Sequence, residues 1–404
     1  MKKTTAKINI PGDKSITHRA VIIASVARGK TTIDNALICE DTLSTVNALR
    51  ELGVVIEIKN TCITVFGKGL YGLTAPRNII NCGNSATTMR LLMGLLSAQS
   101  FDTYLTGDTS LMKRPMDRVI KPLEMMGASI KCENDTYHIY PVNGSSLHPI
   151  NYTMPVSSAQ IKSAIMLADL YTEGKSEITD PGMSRNHTEL MLEYFGKSMK
   201  GRKLRVPCDI SSAAYIIAKA LITPGSDIKL RDIGINPTRT GLIDALKNMG
   251  ADITFSNIKK YGKEPAADIR VKYSHLHGTL ISGKSVSRMI DELPLLAVLS
   301  SLADGTTEIR DAGELRIKES DRIHALSEGL SKIGVNVIEK ADGLIVQGCS
   351  PEKLHASEID SYDDHRIAMS FLILTDILKG ISVKNKECVA ISYPTFLDDI
   401  TSVI

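Results

Sequence analysis

Pro11-Gly12-Asp13-Lys14-Ser15-Ile16-Thr17-His18-Arg19-Ala20 is the most informative stretch of this 404-residue chain. A strand-like run at 6–10 leads into the Pro-Gly turn, and a helix is predicted to begin near Ser15. Lys14, Ser15 and Arg19 then surround one helix N-terminus, where free N–H groups and the helix dipole attract anions. The added ammonium and guanidinium indicate a site for a phosphate or a carboxylate. Taken alone, the stretch fits a capped helix with solvated basic side chains equally well.

The composition is that of a soluble globular protein with room for two domains, since 43% of residues are hydrophobic and 23% are charged. A formal net charge of +3 is close to neutral for this length and does not indicate nucleic-acid binding. Trp is absent and aromatic residues make up only 4%, which argues against stacking platforms for bases or sugars.

The seven cysteines are scattered, odd in number and free of any C-x-x-C pair. That usage predicts reduced thiols, and it lacks the paired spacing of a zinc site. Residues 1–7 contain no apolar signal region, and no apolar run reaches the length of about 18 residues that a membrane helix needs. We therefore expect a cytoplasmic protein with no membrane partner.

A repeated pattern runs through the chain: an amphipathic helix ending in Leu-x-x-apolar-Gly. Its five glycines are Gly53, Gly127, Gly196, Gly250 and Gly334. Gly in that place predicts a left-handed helix C-cap, and two strand-like runs follow four of the five glycines. The periods are too long for a solenoid, so α+β subunits packed into globular domains are expected. Too few residues follow Gly196 for a hairpin, which predicts a sheet one or two strands short.

Six further segments place small and hydroxyl residues at a turn beside Arg or Lys. They are 83–90, 106–115, 156–163, 181–189, 316–322 and 363–366, the last of which is predicted to open the final helix. Each alone fits a solvated helix start or a surface charge cluster. Together with the opening stretch they indicate a ligand with several anionic groups, for which the Arg fork is suited.

In chain order these segments read P-G-D-K-S-x-x-x-R, G-N-S-A-T-T-x-R, S-A-Q-x-K-S-A, V-P-x-D-x-S-S-A-A, R-x-K-E-S-D-R and D-D-H-R. The set resembles the EPSP synthases, the 3-phosphoshikimate 1-carboxyvinyltransferases, over residues 11–366. The resemblance implies an α/β fold of two globular domains that close on the substrates. Each domain has three βαβαββ subunits in the inside-out α/β barrel arrangement of enolpyruvyl transferases.

The resemblance also implies where the domains divide. One domain takes 14–235, and the other takes 1–13 together with 236–404. The chain then crosses between them near 11–14 and again near 233–241.

The implied activity is transfer of the enolpyruvyl group of phosphoenolpyruvate to the 5-hydroxyl of shikimate 3-phosphate, releasing phosphate, in the shikimate pathway to aromatic amino acids and chorismate. The reaction is an addition followed by an elimination. No metal and no cofactor are called for, because phosphoenolpyruvate brings its own leaving group. The two small molecules are the expected partners of a monomeric enzyme.

Addition and elimination at the methylene carbon need an acid/base group that acts twice, and Glu319 is the candidate, flanked by Lys318 and Arg322. Asp291 lies in an apolar stretch, where it fits a helix N-cap as well. By resemblance it contacts the 5-hydroxyl and moves its proton together with Lys14. His365 is implied near the departing phosphate.

The remaining roles are also implied by resemblance. The residues implied to hold phosphoenolpyruvate are Lys14, Asn84, Ala86, Arg114, Gln160, Arg322 and Arg366. Those implied to hold shikimate 3-phosphate are Ser15, Arg19, Ser158, Ala159, Gln160, Arg185, Asp291 and Lys318.

Three positions depart from the family pattern. Ile391-Ser392-Tyr393-Pro394 lacks a Lys that many members carry, and Cys208 stands where Gly is usual. Ala86 occupies a position that is Gly in the glyphosate-sensitive branch, which implies a glyphosate-tolerant enzyme.

Two alternatives stay open on the sequence. The enolpyruvyl transferases that act on UDP-N-acetylglucosamine share the fold and the donor, but they carry a reactive Cys within the loop equivalent to 106–115, which has none in this chain. They also follow the first Lys with Asn, where this chain has Ser15. A non-catalytic anion-binding relative is the second alternative, favoured by Cys208 and the missing hairpin.

Overall fold

The computed structural model describes residues 8–142 and 147–403. They form two compact units. The N-terminal unit consists of 12–206 and the short segment Tyr261–Glu264. The C-terminal unit consists of 8–11, 207–260 and 265–403.

The N-terminal unit alternates helices with short strands. Its helices are α1 (Lys14–Val26), α2 (Glu40–Glu51), α3 (Ala86–Leu96), α4 (Thr109–Met112), α5 (Asp117–Met125), α6 (Ala159–Ala168) and α7 (His187–Phe195). Its strands are β1 (Arg28–Asp34), β2 (Val55–Lys59), β3 (Cys62–Lys68), β4 (Ile80–Asn81), β5 (Thr103–Thr106), β6 (Ile130–Glu133), β7 (Thr136–Ile139), β8 (Asn151–Thr153), β9 (Glu177–Thr179) and β10 (Lys203–Arg205). They pair as sheets in the orders β10-β1-β3-β2, β4-β5-β7-β6 and β8-β9.

The C-terminal unit follows the same plan. Its helices are α8 (Ile210–Ile222), α9 (Gly241–Asn248), α10 (Lys284–Arg288), α11 (Leu293–Ser300), α12 (Arg322–Lys332), α13 (His365–Leu372) and α14 (Phe396–Thr401). Its strands are β11 (Asp227–Gly234), β12 (Asp252–Tyr261), β13 (Glu264–Lys272), β14 (Leu280–Ile281), β15 (Thr306–Ile309), β16 (Asn336–Lys340), β17 (Gly343–Gln347), β18 (Glu358–Ile359) and β19 (Ser382–Val383). The sheet orders are β11-β13-β12, β14-β15-β17-β16 and β18-β19.

The helix, glycine cap and hairpin repeat is confirmed. All five repeat glycines have positive φ, between 68° and 104°, where a side chain would be strained. Antiparallel hairpins follow four of them, namely β2–β3, β6–β7, β12–β13 and β16–β17. The sheets β4-β5-β7-β6 and β14-β15-β17-β16 share one topology, with a parallel first pair and an antiparallel remainder. The predicted α/β repeats are therefore present.

The short third subunit is also confirmed in the described residues, since β8 and β9 form a two-stranded sheet. The chain after Gly196 forms β10, which pairs in parallel with β1 rather than with a hairpin partner. The third sheet of the C-terminal unit, β18–β19, is equally short. The sequence pattern predicted this shortening only in the N-terminal unit.

The compact units divide within the predicted crossover at 11–14 but well before the one predicted at 233–241. The first change falls between Pro11 and Gly12, and the second between Val206 and Pro207 instead of near residue 235. Residues 207–235 lie in the C-terminal unit because α8 is buried along its length and packs against β11, α11 and α14.

Two local predictions need correction. Residues 8–10 contain no strand, and 6 and 7 lie outside the described residues. His365 opens α13, but α14 follows it, so α13 is not the final helix.

Each unit has a hydrophobic core of its own. The closest helix packing in the N-terminal unit joins α3 to α6, where Gly94 faces the backbone of Ala164. A Cβ at residue 94 would lie 2.2 Å from the Ala164 carbonyl oxygen, so the glycine is required for this approach. The N-termini of these two packed helices carry predicted site residues. No helix in the described part of the chain combines the length and hydropathy that a bilayer span requires.

Candidate active site

The N-terminus of α1 is held by Asp13, whose carboxylate accepts a hydrogen bond of 2.8 Å from the Ile16 N–H. Lys14 is the first helical residue, and its Nζ lies 2.9 Å from Asp41 Oδ2 at the start of α2. The helix thus starts one residue earlier than predicted. Asp41 was missed, because nothing in the spacing links two residues that lie 27 positions apart.

Arg19 is the centre of a buried polar cluster. Its Nε donates to Thr188 Oγ1 at 2.8 Å, its Nη2 to Ser163 Oγ at 2.9 Å and its Nη1 to the Ser15 carbonyl at 3.0 Å. Arg185 donates to Ser15 Oγ at 3.2 Å. Burial and, next, the charge of Arg185 lower the pKa of Arg19 to about 10. The structure therefore brings together three predicted ligands of shikimate 3-phosphate, and the repulsion between the two guanidinium groups favours an anion beside them.

The N-terminus of α6 carries three more predicted residues. Ser158 is its N-cap, and Ala159 is its first residue. The Gln160 side chain accepts a hydrogen bond from Arg90 and donates one of 3.0 Å to Thr87 Oγ1 on α3.

Arg90 was absent from the predicted ligands, although it ends the segment 83–90. It is 8% exposed and also donates to the Pro115 carbonyl at 2.9 Å. The sequence signal that could have identified it is an Arg about one turn after a capped helix start.

The turn before α3 is tied to the 106–115 loop. Asn84 Oδ1 accepts a 2.6 Å hydrogen bond from Arg114, and its amide donates to Asp108 Oδ2 at 2.7 Å. Ala86 is the first residue of α3 and is 8% exposed. Asn84, Ala86 and Arg114 therefore lie together, as do Gln160 and the α3 N-terminus.

The C-terminal unit contains a second cluster, centred on Arg322 at the start of α12. The guanidinium is almost fully buried, with Nε 2.7 Å from Asp364 Oδ2 and Nη2 2.6 Å from Glu319 Oε2. Ser320 also donates to Asp364, at 3.1 Å. Burial opposes each charge, but the pairing prevails, so the pKa of Arg322 is raised and the pKa of Asp364 is lowered. Glu319 is thereby held in one orientation.

Arg366 connects Asp291 to this part of the unit. Its Nη1 donates to the Asp291 carbonyl at 3.0 Å, and its Nη2 lies 3.5 Å from Asp291 Oδ2. Arg322 Nη1 approaches the same carboxylate at 3.8 Å. Asp291 is not a helix N-cap, because Glu292 precedes α11. Burial opposes the charge of Arg366, yet Asp291 and its neighbours raise the pKa of Arg366 overall.

Lys318 and His365 border the same cluster. Lys318 follows the short helix Gly313–Ile317 and is half-buried. Burial lowers the pKa of Lys318, although the charge of Asp291 opposes this shift. His365 is buried as the first residue of α13. Within the described residues, no group of three His, Cys, Asp or Glu side chains could hold a metal ion.

The departure at Cys208 has a local explanation, and nothing in the structure explains the missing Lys in 391–394. Cys208 forms an extended bridge with Ile233, and its φ is not positive, so glycine is not required there. Tyr393 is fully buried and packs edge-on against Phe396 at 5.6 Å between ring centroids. Its side chain therefore belongs to the core rather than to the charged cluster.

Comparison with known proteins identifies the family. Residues 1–400 match the family described as EPSP synthase (3-phosphoshikimate 1-carboxyvinyltransferase). The chain belongs to the EPSP synthase family. It is therefore a transferase.

Several relatives are similar over nearly the whole chain. The 3-phosphoshikimate 1-carboxyvinyltransferase of Thermoanaerobacter sp. (strain X514) is 47% identical, and the comparison covers 96% of this chain and 95% of that protein. The protein of the same name from Geotalea daltonii is 46% identical, with 98% and 96% covered.

Solved structures agree with the assignment. The EPSP synthase from Acinetobacter baumannii has a TM-score of 0.87 and 42% identity, covering 98% of this chain and 95% of that one. The enolpyruvyl transferase NikO from Streptomyces tendae has a TM-score of 0.77 over 98% and 94% of the two chains. Its identity of 15% shows a shared fold alone.

Proposed function

We propose that this member of the family transfers the enolpyruvyl group of phosphoenolpyruvate to the 5-hydroxyl of shikimate 3-phosphate and releases phosphate. The observation that carries the proposal is the Glu319–Arg322 contact of 2.6 Å beside the buried Asp364. This arrangement holds one carboxylate in place for two successive proton transfers. Family membership supplies the reaction class.

In the addition step, the 5-hydroxyl oxygen bonds to C2 of phosphoenolpyruvate, and Glu319 gives a proton to C3, which becomes a methyl group. In the elimination step, Glu319 takes a proton back from C3 while the C2–O bond to phosphate breaks. The proton of the 5-hydroxyl leaves through Asp291, with Lys14 as its partner in that role. His365 stands by the departing phosphate.

The anionic groups of the two substrates match the cations of the two clusters. We assign phosphoenolpyruvate to Lys14, Asn84, Ala86, Arg114, Gln160, Arg322 and Arg366. We assign shikimate 3-phosphate to Ser15, Arg19, Ser158, the Ala159 backbone, Gln160, Arg185, Asp291 and Lys318. The Arg19 cluster supports the second assignment, because a bound phosphate offsets the repulsion between Arg19 and Arg185.

The test is phosphate release in the presence of both substrates, measured for the wild-type chain and for Glu319→Gln. The wild-type chain should release phosphate, and the variant should lose at least about a hundredfold of the rate, as is typical when an acid/base group is removed. Glu358→Gln, which changes an exposed carboxylate of the same unit, is the matched control and should keep the full rate. A wild-type rate no better than that of Glu319→Gln would favour a non-catalytic relative. Phosphate release with UDP-N-acetylglucosamine in place of shikimate 3-phosphate would favour the other alternative.

We also propose that the enzyme tolerates glyphosate. Ala86 supports this, since its methyl group stands at the first position of α3, beside Asn84 and its contact with Arg114. The monomeric state and the cytoplasmic location stay predictions. Light scattering during gel filtration measures the first of them.

A further inference from the structure

A buried line of side chains joins three helices of the N-terminal unit and ends at the N-cap of α3. His18 Nδ1 on α1 lies 2.7 Å from Thr45 Oγ1 on α2, which lies 2.7 Å from Thr88 Oγ1 on α3. Thr88 Oγ1 donates in turn to Ser85 Oγ at 2.8 Å. All four residues are at most 2% exposed, and none of them has a role in the proposed reaction.

The proton count gives this line a direction. Each threonine hydroxyl has one proton, and Thr88 donates its own to Ser85 at 2.8 Å, while the Asp41 carbonyl is a more distant acceptor at 3.5 Å. Thr45 must then donate to Thr88, and His18 Nδ1 must donate to Thr45. The hydroxyl dipoles therefore align with their positive ends toward the N-terminus of α3, in the same sense as the helix dipole.

The state of His18 is consistent with this direction. Burial is the main cause that lowers the pKa of His18 to about 3, and Lys14 and Arg19 lower it further while Asp41 opposes them. The ring is therefore neutral at physiological pH. With Nδ1 protonated, Nε2 is an acceptor, and it is buried without a hydrogen-bond partner among the described residues.

We propose that Thr45, supported by His18, is a positioning residue that fixes the N-terminus of α3 through Thr88 and Ser85 and so sets the affinity for phosphoenolpyruvate. This inference rests on the proposed function, in which Asn84 and Ala86 lie against that substrate. Ser85 stands between these two residues and also accepts a hydrogen bond of 3.2 Å from the Thr88 N–H. Loss of these hydrogen bonds would loosen the turn that holds Asn84 and Ala86 in place.

The Arg19 cluster, which we assign to shikimate 3-phosphate, does not depend on this line. Arg19 is fixed by Thr188, Ser163 and the Ser15 carbonyl, and none of these bonds passes through Thr45 or Thr88. A change at Thr45 should therefore act mainly on phosphoenolpyruvate, with a smaller effect on shikimate 3-phosphate through Gln160, which donates to Thr87 on α3. A general loosening of the unit would act on both equally.

The test uses Thr45→Val, which keeps the shape of the side chain and removes its hydroxyl. We expect the KM for phosphoenolpyruvate to rise about fivefold, the effect of one buried hydrogen bond, while the KM for shikimate 3-phosphate stays within about twofold. Thr45→Ser restores the hydroxyl and should restore the KM for phosphoenolpyruvate. Thr103→Val is the matched control, because the Thr103 hydroxyl is buried in β5 without a partner among the described residues.

If Thr45→Val does not fold, Thr88→Val removes the hydroxyl that donates to Ser85, keeps the backbone N–H bond to it, and decides the question by the same ratio of KM values. Unchanged KM for phosphoenolpyruvate, or an equal rise for both substrates, overturns the inference. A wild-type chain without activity overturns the proposed function instead. NMR of isotope-labelled histidine adds a readout independent of activity: His18 should be neutral with its proton on Nδ1, and a proton on Nε2 contradicts donation from His18 to Thr45.

Discussion

Arg322 and Asp364 form a buried ion pair, in which Nε of the guanidinium lies 2.7 Å from Oδ2 of the carboxylate. Neither side chain has more than 1% of its surface exposed. The same guanidinium holds Glu319 through its Nη2. One residue thus connects the stability of the C-terminal unit to the orientation of the proposed acid/base group.

Asp364→Asn should destabilise the C-terminal unit at neutral pH. Among the described residues, the buried Arg322 would keep only Glu319 and Asp291 as charged partners, and breaking a buried ion pair costs about 3–5 kcal/mol in the free energy of unfolding. Urea unfolding at pH 7 measures the effect. Asp304→Asn removes an exposed carboxylate of the same unit and should change the free energy of unfolding by less than about 0.5 kcal/mol.

The same pair gives a pH dependence with a definite sign. The pKa of Asp364 is lowered in the folded state, so its stabilising effect is complete at neutral pH. This stabilisation begins to decrease as the pH falls below about 4, the ordinary pKa of an Asp, and is lost once the pH has fallen through the lowered pKa of the folded state. In that range the unfolded chain binds the proton more readily than Asp364 does in the folded protein. The stability gap between wild type and Asp364→Asn should therefore narrow on acidification. A constant gap from neutral pH down to acid unfolding would contradict the ion-pair account.

Arg19→Lys should weaken the binding of shikimate 3-phosphate. A lysine cannot make the three separate donations that Arg19 makes to Thr188, Ser163 and the Ser15 carbonyl. A net loss of one hydrogen bond from a charged group is worth about 1.5–3 kcal/mol, so kcat/KM for this substrate should fall about tenfold to a hundredfold. Initial rates at varied shikimate 3-phosphate measure it, with the exposed Arg28→Lys as control. Equal kcat/KM values for the two variants would remove Arg19 from the proposed site.

The local parts of the fold were predictable from sequence. The start of α1 and the glycine caps depend only on residues within one or two helical turns. Gly250 and the other repeat glycines could therefore be identified from sequence. Pairings between distant segments could not be predicted, because the fold alone brings them together. β10 pairs with β1 although Lys203 and Thr32 are far apart in sequence, and Asp41 meets Lys14 for the same reason.

The residues of the candidate site also fall into those that could be predicted from sequence and those that could not. Residues within the charged segments could be proposed from sequence: Arg322 because its type and spacing indicate anion binding, and Glu319 because the reaction needs an acid/base group. Thr45 lies in no such segment and became visible only through its contacts with His18 and Thr88. Neutral hydroxyls in a helix interior look the same in sequence whether they support a site or only fill space.

Gly94→Ala should destabilise the N-terminal unit. The new methyl group would meet the Ala164 carbonyl oxygen at 2.2 Å, so α3 and α6 must separate at a cost of about 1–3 kcal/mol. Thermal unfolding measures the loss. At Gly313 the nearest atoms lie 3.8 Å away, and Gly313→Ala should leave the unfolding temperature nearly unchanged.

Ala86→Gly should make the enzyme more sensitive to glyphosate. Glyphosate is proposed to occupy the phosphoenolpyruvate site and is longer than that substrate, so the Ala86 methyl should clash with the inhibitor while the substrate still fits. Overpacking of this kind costs about 1–3 kcal/mol, or about ten- to hundredfold in affinity. The inhibition constant for glyphosate should fall by that factor in Ala86→Gly, while the KM for phosphoenolpyruvate changes much less. Because residue 86 is the first residue of α3, the helix loses little stability from the added glycine. Inhibition constants that agree between the two proteins would show that the methyl group does not face the inhibitor, and the tolerance would then have to come from another residue.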